Sequence, residues 1–405
     1  MLDNGVYTTN NWRRPNTNES NLRLHAVHEL IKEIELGGDE SIIKFSKRYD
    51  GFVPEHIELM PFESYGLEDK LAEAIQAAAK RIETFCKFQK ESLADRSFSD
   101  DTGSYGYCYQ AIKRIGAYIP GGRFPLISTA LMTLIPAKVA GCEERVACSP
   151  SDHPAILAAA SLAGATSFIK IGGVQAVSAM ALGFQSISPV QMIVGPGNQY
   201  VNAAKQYFQS QLAIDVPAGP SELLILAGEE ANLEWIVKDM AAQAEHDPQA
   251  HSVFVTDNQA LLGEVYRSLK ADEYLWSLFV RDQICLVSAN DPQDMIQFSD
   301  EFAPEHLLLA DTRIESKQLT SYGAIFIGDN SAVAFGDYCS GPNHTLPTMG
   351  TAKYSSGLNV ASFLKVQTIQ QVTDKGRQIL APIADALAEA EQLVWHKRSI
   401  EVRSC

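Results

Sequence analysis

The sequence predicts an α/β protein made of two doubly wound, incomplete Rossmann-like domains, with a small N-terminal arm and a helical C-terminal tail. Three observations predict it. Short β-branched or apolar runs alternate with amphipathic stretches of helical length from about residue 107 onward, the pattern of βαβ units on a parallel sheet. The runs fall into two separable series. A chain of 405 residues, 46% of them hydrophobic, also exceeds what one core usually organises.

The first series reads as strands at Ala117 to Ile119, Arg145 to Cys148, Phe168 to Ile171 and Met192 to Val194. Between and after them lie helix-length stretches at Leu126 to Val139, Pro154 to Ala163, Val174 to Leu182 and Val201 to Phe208. The second series has strand-like runs at Leu223 to Leu226, Ser252 to Val255, Ile284 to Val287, Leu307 to Leu309 and Ala324 to Ile327, with a helix over Leu233 to His246. Helical periodicity also marks His25 to Leu36, Asp39 to Tyr49 and Glu68 to Glu91, the first stopped by Gly37 and Gly38. From about Ser362 the tail reads as helices over Gln371 to Leu380 and Ile383 to Leu393, split by Pro382, then the strand-like SIEVRS at 399–404. A tail of that size encloses no core of its own and is expected to dock on a neighbour, in the same chain or in a partner subunit. The expected division is an arm over 1–20, one α/β domain over 118–220, a second over 21–117 with 221–360, and the tail over 361–405.

Lys+Arg 33 against Asp+Glu 49 leaves a net charge of −16, which repels nucleic-acid backbones and anionic lipid surfaces, so neither is an expected partner. The first twenty residues carry no apolar core of the signal-peptide kind, and a cytoplasmic location is expected. Cysteines at 86, 108, 142, 148, 285, 339 and 405 are odd in number and never spaced as CxxC, which reads as reduced thiols.

Four stretches carry groups able to do chemistry. QAEHDP puts Gln243 and His246 three apart at the end of a helix, on one face; such residues either bind a metal or simply cap. APEHLLLA puts Glu305 and His306 before an apolar strand, where adjacent side chains diverge and are able to serve two separate proton transfers, or form a solvated strand entry. The irregular stretch GDYCSGPNHTLPTMGTAKYSSGLN holds Asp337, a hard oxygen donor, and His344. Spacing alone assigns nothing to Glu391 and His396. Gln243, His246, Asp337 and His396 together offer nitrogen and oxygen but no thiolate, the donor chemistry of a catalytic zinc rather than a structural one. For a nucleotide, IVGPGNQYVNAAK is a strand, a glycine turn and a helix, with Tyr200 where GxGxxG has its third glycine. IPGG at 119–122 and IGG at 171–173 are further strand-end glycine turns in the same half.

Taken in order, YIPGG, IGGVQAVSAMALG, VGPGNQYVNAAK, DVPAGPSELL, QAEHDPQA, FAPEHL and GDYCSGPNHTLPTMGTAKYSSGL resemble the blocks of the histidinol dehydrogenase family, from about residue 20 to the C-terminus. The resemblance implies a homodimer with shared active sites that oxidises L-histidinol to L-histidine through two hydride transfers to NAD, with one zinc per subunit. On matching motifs it implies zinc ligands Gln243, His246 and Asp337, with His396 from the partner. It implies Glu305 and His306 as the catalytic pair, His306 taking the hydroxyl proton and Glu305 activating water. The substrate site would hold Ser221 and His344 along with Gln243, His246, His306, Asp337 and His396, and Glu391 from the partner. NAD would contact Tyr118, Gln175 and Asn198, making 118–220 the NAD-binding domain, the other the zinc and catalytic domain, and 361–405 the dimerisation tail. Two other readings stand beside it: a relative with the same zinc and NAD apparatus acting on another hydroxylated molecule such as a sulfonated diol, and a zinc-binding relative without catalysis. Ser221, His344 and Glu391 favour histidinol over the first; the Glu305 and His306 pair favours an enzyme over the second.

Overall fold

The computed structural model describes residues 5–15, 20–122, 124–216 and 219–403. Residues 1–4 and 16–19 of the arm, and Ser404 and Cys405 of the tail, lie outside the described residues. In chain order come β1 (Val6–Thr8), α1 (Ser20–Tyr49), β2 (Glu55–Ile57), α2 (Asp69–Glu91), β3 (Arg96–Asp100), β4 (Gly103–Ala111) and β5 (Arg114–Tyr118). Then follow α3 (Ile127–Ala140), β6 (Glu144–Ser149), α4 (Pro154–Ala163), β7 (Ser167–Lys170), α5 (Gly173–Leu182), β8 (Met192–Val194), α6 (Gln199–Phe208) and β9 (Ala213–Ile214). The second series is β10 (Glu222–Ala227), α7 (Leu233–Glu245), β11 (His251–Thr256), α8 (Gln259–Ala271), α9 (Glu273–Val280), β12 (Ile284–Ser288), α10 (Pro292–Phe302), β13 (His306–Ala310), β14 (Ala324–Ile327) and α11 (Val333–Tyr338). The tail is β15 (Leu364–Val372), α12 (Asp374–Ala390) and α13 (Val394–Glu401).

Two six-stranded sheets result, in the orders β2-β7-β6-β5-β8-β9 and β1-β12-β11-β10-β13-β14. Numbered within each series, both run 3-2-1-4-5, the doubly wound order. Each gains one edge strand from earlier in the chain: β2 antiparallel on β7, β1 parallel on β12. Apolar side chains cover both faces of each sheet, which is why the strands read as continuous apolar runs rather than alternating ones. The fold class expected from sequence is the one observed.

Several elements differ from expectation. Helix α1 passes through the Gly37–Gly38 stop as a kink, with Gly38 at φ 55° and ψ −138°, a backbone glycine adopts freely. Segment 21–117, expected with 221–360, packs on the first sheet instead: α1 lies against α5 and α6, α2 against α3, and β5 is a central strand. A three-stranded antiparallel sheet, β15-β4-β3, escaped the sequence reading; its hairpin turns where Asp100 Oδ1 accepts the Thr102 and Gly103 amides at 2.7 and 3.2 Å. Residues 371 and 372 thus end a strand, and α12 runs unbroken through Pro382. The carbonyl that Pro382 leaves without its helical donor belongs to Gln378, an exposed residue. The described part of SIEVRS is helical through Glu401, with its C-cap amide at Val402 bonded to the Arg398 and Ile400 carbonyls.

Candidate active site

In a right-handed βαβ unit the crossover helix runs antiparallel to its strands, so its C-terminus returns to their amino ends. That geometry assembles the site. Helix α7 leaves the carboxyl end of β10 and returns with Gln243 in its last turn and His246 as its C-cap. Helix α11 follows β14 in the same sense and carries Asp337 near its end, so this residue sits on a short helix rather than in irregular chain. His306 opens β13, with Glu305 immediately before it, and Ser221 precedes β10. Groups far apart in sequence therefore share the amino edge of the second sheet.

There, Asp337 lies between two imidazoles: His246 Nε2 is 3.8 Å from its Oδ2 and His306 Nε2 is 3.8 Å from its Oδ1. His344 Nδ1 is 2.9 Å from the Asp337 carbonyl oxygen. Glu305 Oε2 and His306 Nδ1 are 3.6 Å apart, so the pair does not diverge as expected; Glu305 precedes the strand and is free of its alternation. Gln243 Nε2, both ring nitrogens of His306 and His344 Nε2 are buried without a hydrogen-bond partner. Orphaned polar atoms in such number at one place mark a site that a ligand completes.

Burial sets the electrostatics. Glu305 is pushed well above the usual carboxylate range by desolvation, with the neighbouring Glu222 and Asp337 charges adding to it against the Glu222 amide. Desolvation lowers His306 to about 4 and also lowers His344. Sequence reading missed two residues beneath this pair. The Glu222 amide donates to Glu305 Oε2 at 2.8 Å, while the buried Glu222 carboxylate accepts Arg14 Nε at 2.6 Å and the Met349 amide at 3.0 Å. The available signal was a Glu opening the apolar run ELLILA, a position that demands a cationic partner.

Loop 339–363 ties this edge to the other half. Thr348 Oγ1 accepts the Gly219 amide, Asn343 Nδ2 donates to the Met132 carbonyl at 2.5 Å, and Arg81 Nε donates to the Cys339 carbonyl at 2.8 Å. Glu391, the C-cap of α12, and His396, on α13, are exposed on the tail. Among the described residues no hydrogen bond or ion pair joins either to the cluster, and no group of three or more His, Cys, Asp or Glu is arranged to hold a metal by itself.

The expected nucleotide residues lie at the opposite kind of edge, the carboxyl ends of the first sheet. Tyr118 ends β5, buried, its hydroxyl accepting the Gly173 amide at 3.3 Å; burial pushes it up to about 12. Gln175 is buried and its amide donates to Asp50 Oδ2 at 2.8 Å, so its side chain is spent on the protein. Exposed Asn198 caps α6, accepting the Tyr200 and Val201 amides at 3.0 and 3.1 Å. Three glycine turns and a capped helix N-terminus make a site suited to a pyrophosphate.

Fold and site together define a dehydrogenase-like α/β enzyme, with glycine turns at the carboxyl edge of one sheet and a buried acid–imidazole pair at the amino edge of the other. Residues 12–404 match the family described as histidinol dehydrogenase. The chain is 38% identical over 405 residues to histidinol dehydrogenase of Methanocaldococcus jannaschii, covering 96% of this chain and 94% of that one. It is 38% identical over 411 residues to that of Bacteroides fragilis, covering 96% and 95%. The crystal structure of histidinol dehydrogenase from Elizabethkingia anophelis superposes with a TM-score of 0.86 at 35% identity, covering 98% of this chain and 97% of that one. This chain belongs to the histidinol dehydrogenase family, an NAD-dependent oxidoreductase family of histidine biosynthesis.

Proposed function

We propose that the protein oxidises L-histidinol to L-histidine in two successive NAD-dependent steps, at a zinc site completed by a second copy of the chain. The observation that carries this reading is the convergence of Gln243, His246, Glu305, His306, Asp337 and His344 on one edge, with buried donors left without partners.

His306, kept neutral by burial, accepts the substrate hydroxyl proton at a ring nitrogen that has no protein partner. Glu305, its carboxyl raised by burial, takes a proton from the water that adds to the aldehyde. Ser221, just before β10, and His344, beside Asp337, orient the substrate. The glycine turns beside Tyr118 and Asn198 would hold NAD, which when bound would supply the hydride acceptor for each step. Zinc suits the nitrogen and oxygen donors here: Gln243, His246 and Asp337 would hold it, with His396 supplied by the partner subunit. When bound, it supplies orientation of the substrate's amino and imidazole nitrogens.

Support for the dimer is the tail itself, where Ile383, Leu387, Leu393, Val394 and Trp395 are exposed together, as expected of a segment that docks on another chain. We further propose a cytoplasmic enzyme. The six described cysteines are unpaired, which suits a reducing compartment; among the described residues no helix is long and apolar enough to cross a membrane. Purified protein given histidinol is expected to form two NADH per histidine and to contain stoichiometric zinc. No NADH with histidinol, but turnover of a sulfonated diol, would move the assignment to a different substrate.

A further inference from the structure

Lys205 is 1% exposed, among the largest fully buried side chains of the protein, and its ammonium makes no use of solvent. An unpaired ammonium there would cost several kcal/mol, so its partners have to justify the burial. It has two. It forms an ion pair with Asp215 Oδ1, and it donates to the Gly195 carbonyl at 2.9 Å. The other carboxylate oxygen of Asp215 accepts the Gly195 amide at 2.7 Å. The donor and the acceptor of one glycine are thus each gripped by an opposite charge, and the two charges are gripped by one another.

The gripped residue stands where the first sheet changes winding direction, between β5 and β8. Gly195 has φ +115°, and a Cβ on it would lie 2.1 Å from the Tyr118 carbonyl oxygen, so its backbone rests directly on the end of β5. Next along the chain are Pro196, Gly197 and Asn198, which caps the ten-residue helix α6, and Asn202 Nδ2 donates back to the Gly197 carbonyl at 3.0 Å. Nothing in this arrangement requires charge for packing; an apolar side chain of similar length would fill the same space. What charge adds is direction, because it fixes the peptide planes on both sides of Gly195 and hence the aim of the amides that follow.

We propose that Lys205 and Asp215 are positioning residues for NAD, a buried strut behind the glycine turn that presets the pyrophosphate-binding backbone and ties it to Tyr118. The proposal rests on the reading of this turn as the nucleotide site. Neither side chain touches the cofactor; the strut removes the ordering cost that a loose turn would pay on each binding event.

The test uses Lys205→Met and the double variant Lys205→Met/Asp215→Asn in the full-length protein. Both are expected to weaken NADH binding, read by its fluorescence, and to raise KM for NAD about tenfold, with KM for histidinol unchanged. The double variant leaves no lone buried charge, so its melting temperature is expected to return toward wild type while its NADH binding stays weak. That dissociation separates positioning from stability, and it keeps the test alive should the single variant not fold. NADH binding within twofold of wild type in the folded double variant would overturn the strut. Hydrogen exchange of wild type with and without NADH addresses the other premise: protection of amides 193–202 is expected, and its absence would remove the nucleotide reading itself.

Discussion

The two sheets share one strand order, and the sites proposed on them lie at opposite ends. In the first, the carboxyl ends of β5, β7 and β8 carry the glycine turns and the capped start of α6. Its amino ends are tied shut: Arg114 Nε donates to the Pro189 carbonyl at 3.0 Å and Arg145 Nε to the Gly164 carbonyl at 2.6 Å. In the second sheet the arrangement is reversed. The winding switch between β10 and β13 is filled at its carboxyl end by Asp311 packed on Gly228, held by Arg313 Nη2 at 2.7 Å, and Arg313 also forks onto Asp257 at 2.9 and 2.7 Å. The amino ends hold Glu305, His306 and Ser221, met there by the ends of α7 and α11. Winding order is the same in both sheets and does not decide which edge is closed; the side chains packed at each edge do. The choice also sets the sign of the local field. Helix N-termini favour an anion such as a pyrophosphate, whereas the end of α7 presents backbone carbonyls and favours a cation.

The largest effect comes from testing whether the two edges act independently. His306→Asn is expected to lower kcat about a thousandfold, the worth of a well-placed base, while NADH affinity stays at wild type. A matching loss of NADH binding would show that the edges are coupled and break the comparison.

A smaller effect sharpens it by locating the cost of burying an imidazole. His306 binds a proton less readily folded than unfolded, so between pH 6.5 and about 4 the unfolded chain holds more protons and stability falls as pH falls. The slope from this one group is at most about 1.4 kcal/mol per pH unit in that window. Denaturation of apoprotein against pH should show a shallower slope for His306→Asn than for wild type; parallel slopes would assign the loss elsewhere.

The smallest effect concerns the plugged edge. Arg313 is half exposed, so Arg313→Ala is expected to cost only about 1 kcal/mol in chemical denaturation and to leave KM for both NAD and histidinol unchanged. A raised KM would show that the filled switch point takes part in function.

Particular residues show how far the sequence could be read. Every parallel strand of both series except the two-residue edge strand β9 is close to an expected apolar run, and QAEHDP, FAPEHL and the VGPGN turn all stand at element ends, as read. The antiparallel hairpin of β3 and β4 was missed although half of it was readable: β3 is exposed and polar, but β4 sets Tyr105, Tyr107 and Tyr109 at every second position, a strand period that was passed over. The pairing of Arg14 with Glu222 was unreadable for another reason: Glu222 signals its need for a cation, but 208 positions separate it from the one it meets.

Apolar periodicity and glycine placement, being local, were enough to determine the doubly wound class, the strand-end turns and which residue types carry chemistry. Only tertiary structure decided that helices α1 and α2 cover the first sheet, that Gln175 is bonded to Asp50, and that Asp337 lies between His246 and His306 at the amino edge of the second sheet. Those outcomes depend on which distant charges and apolar faces meet once the chain is compact, and no window of sequence contains both partners.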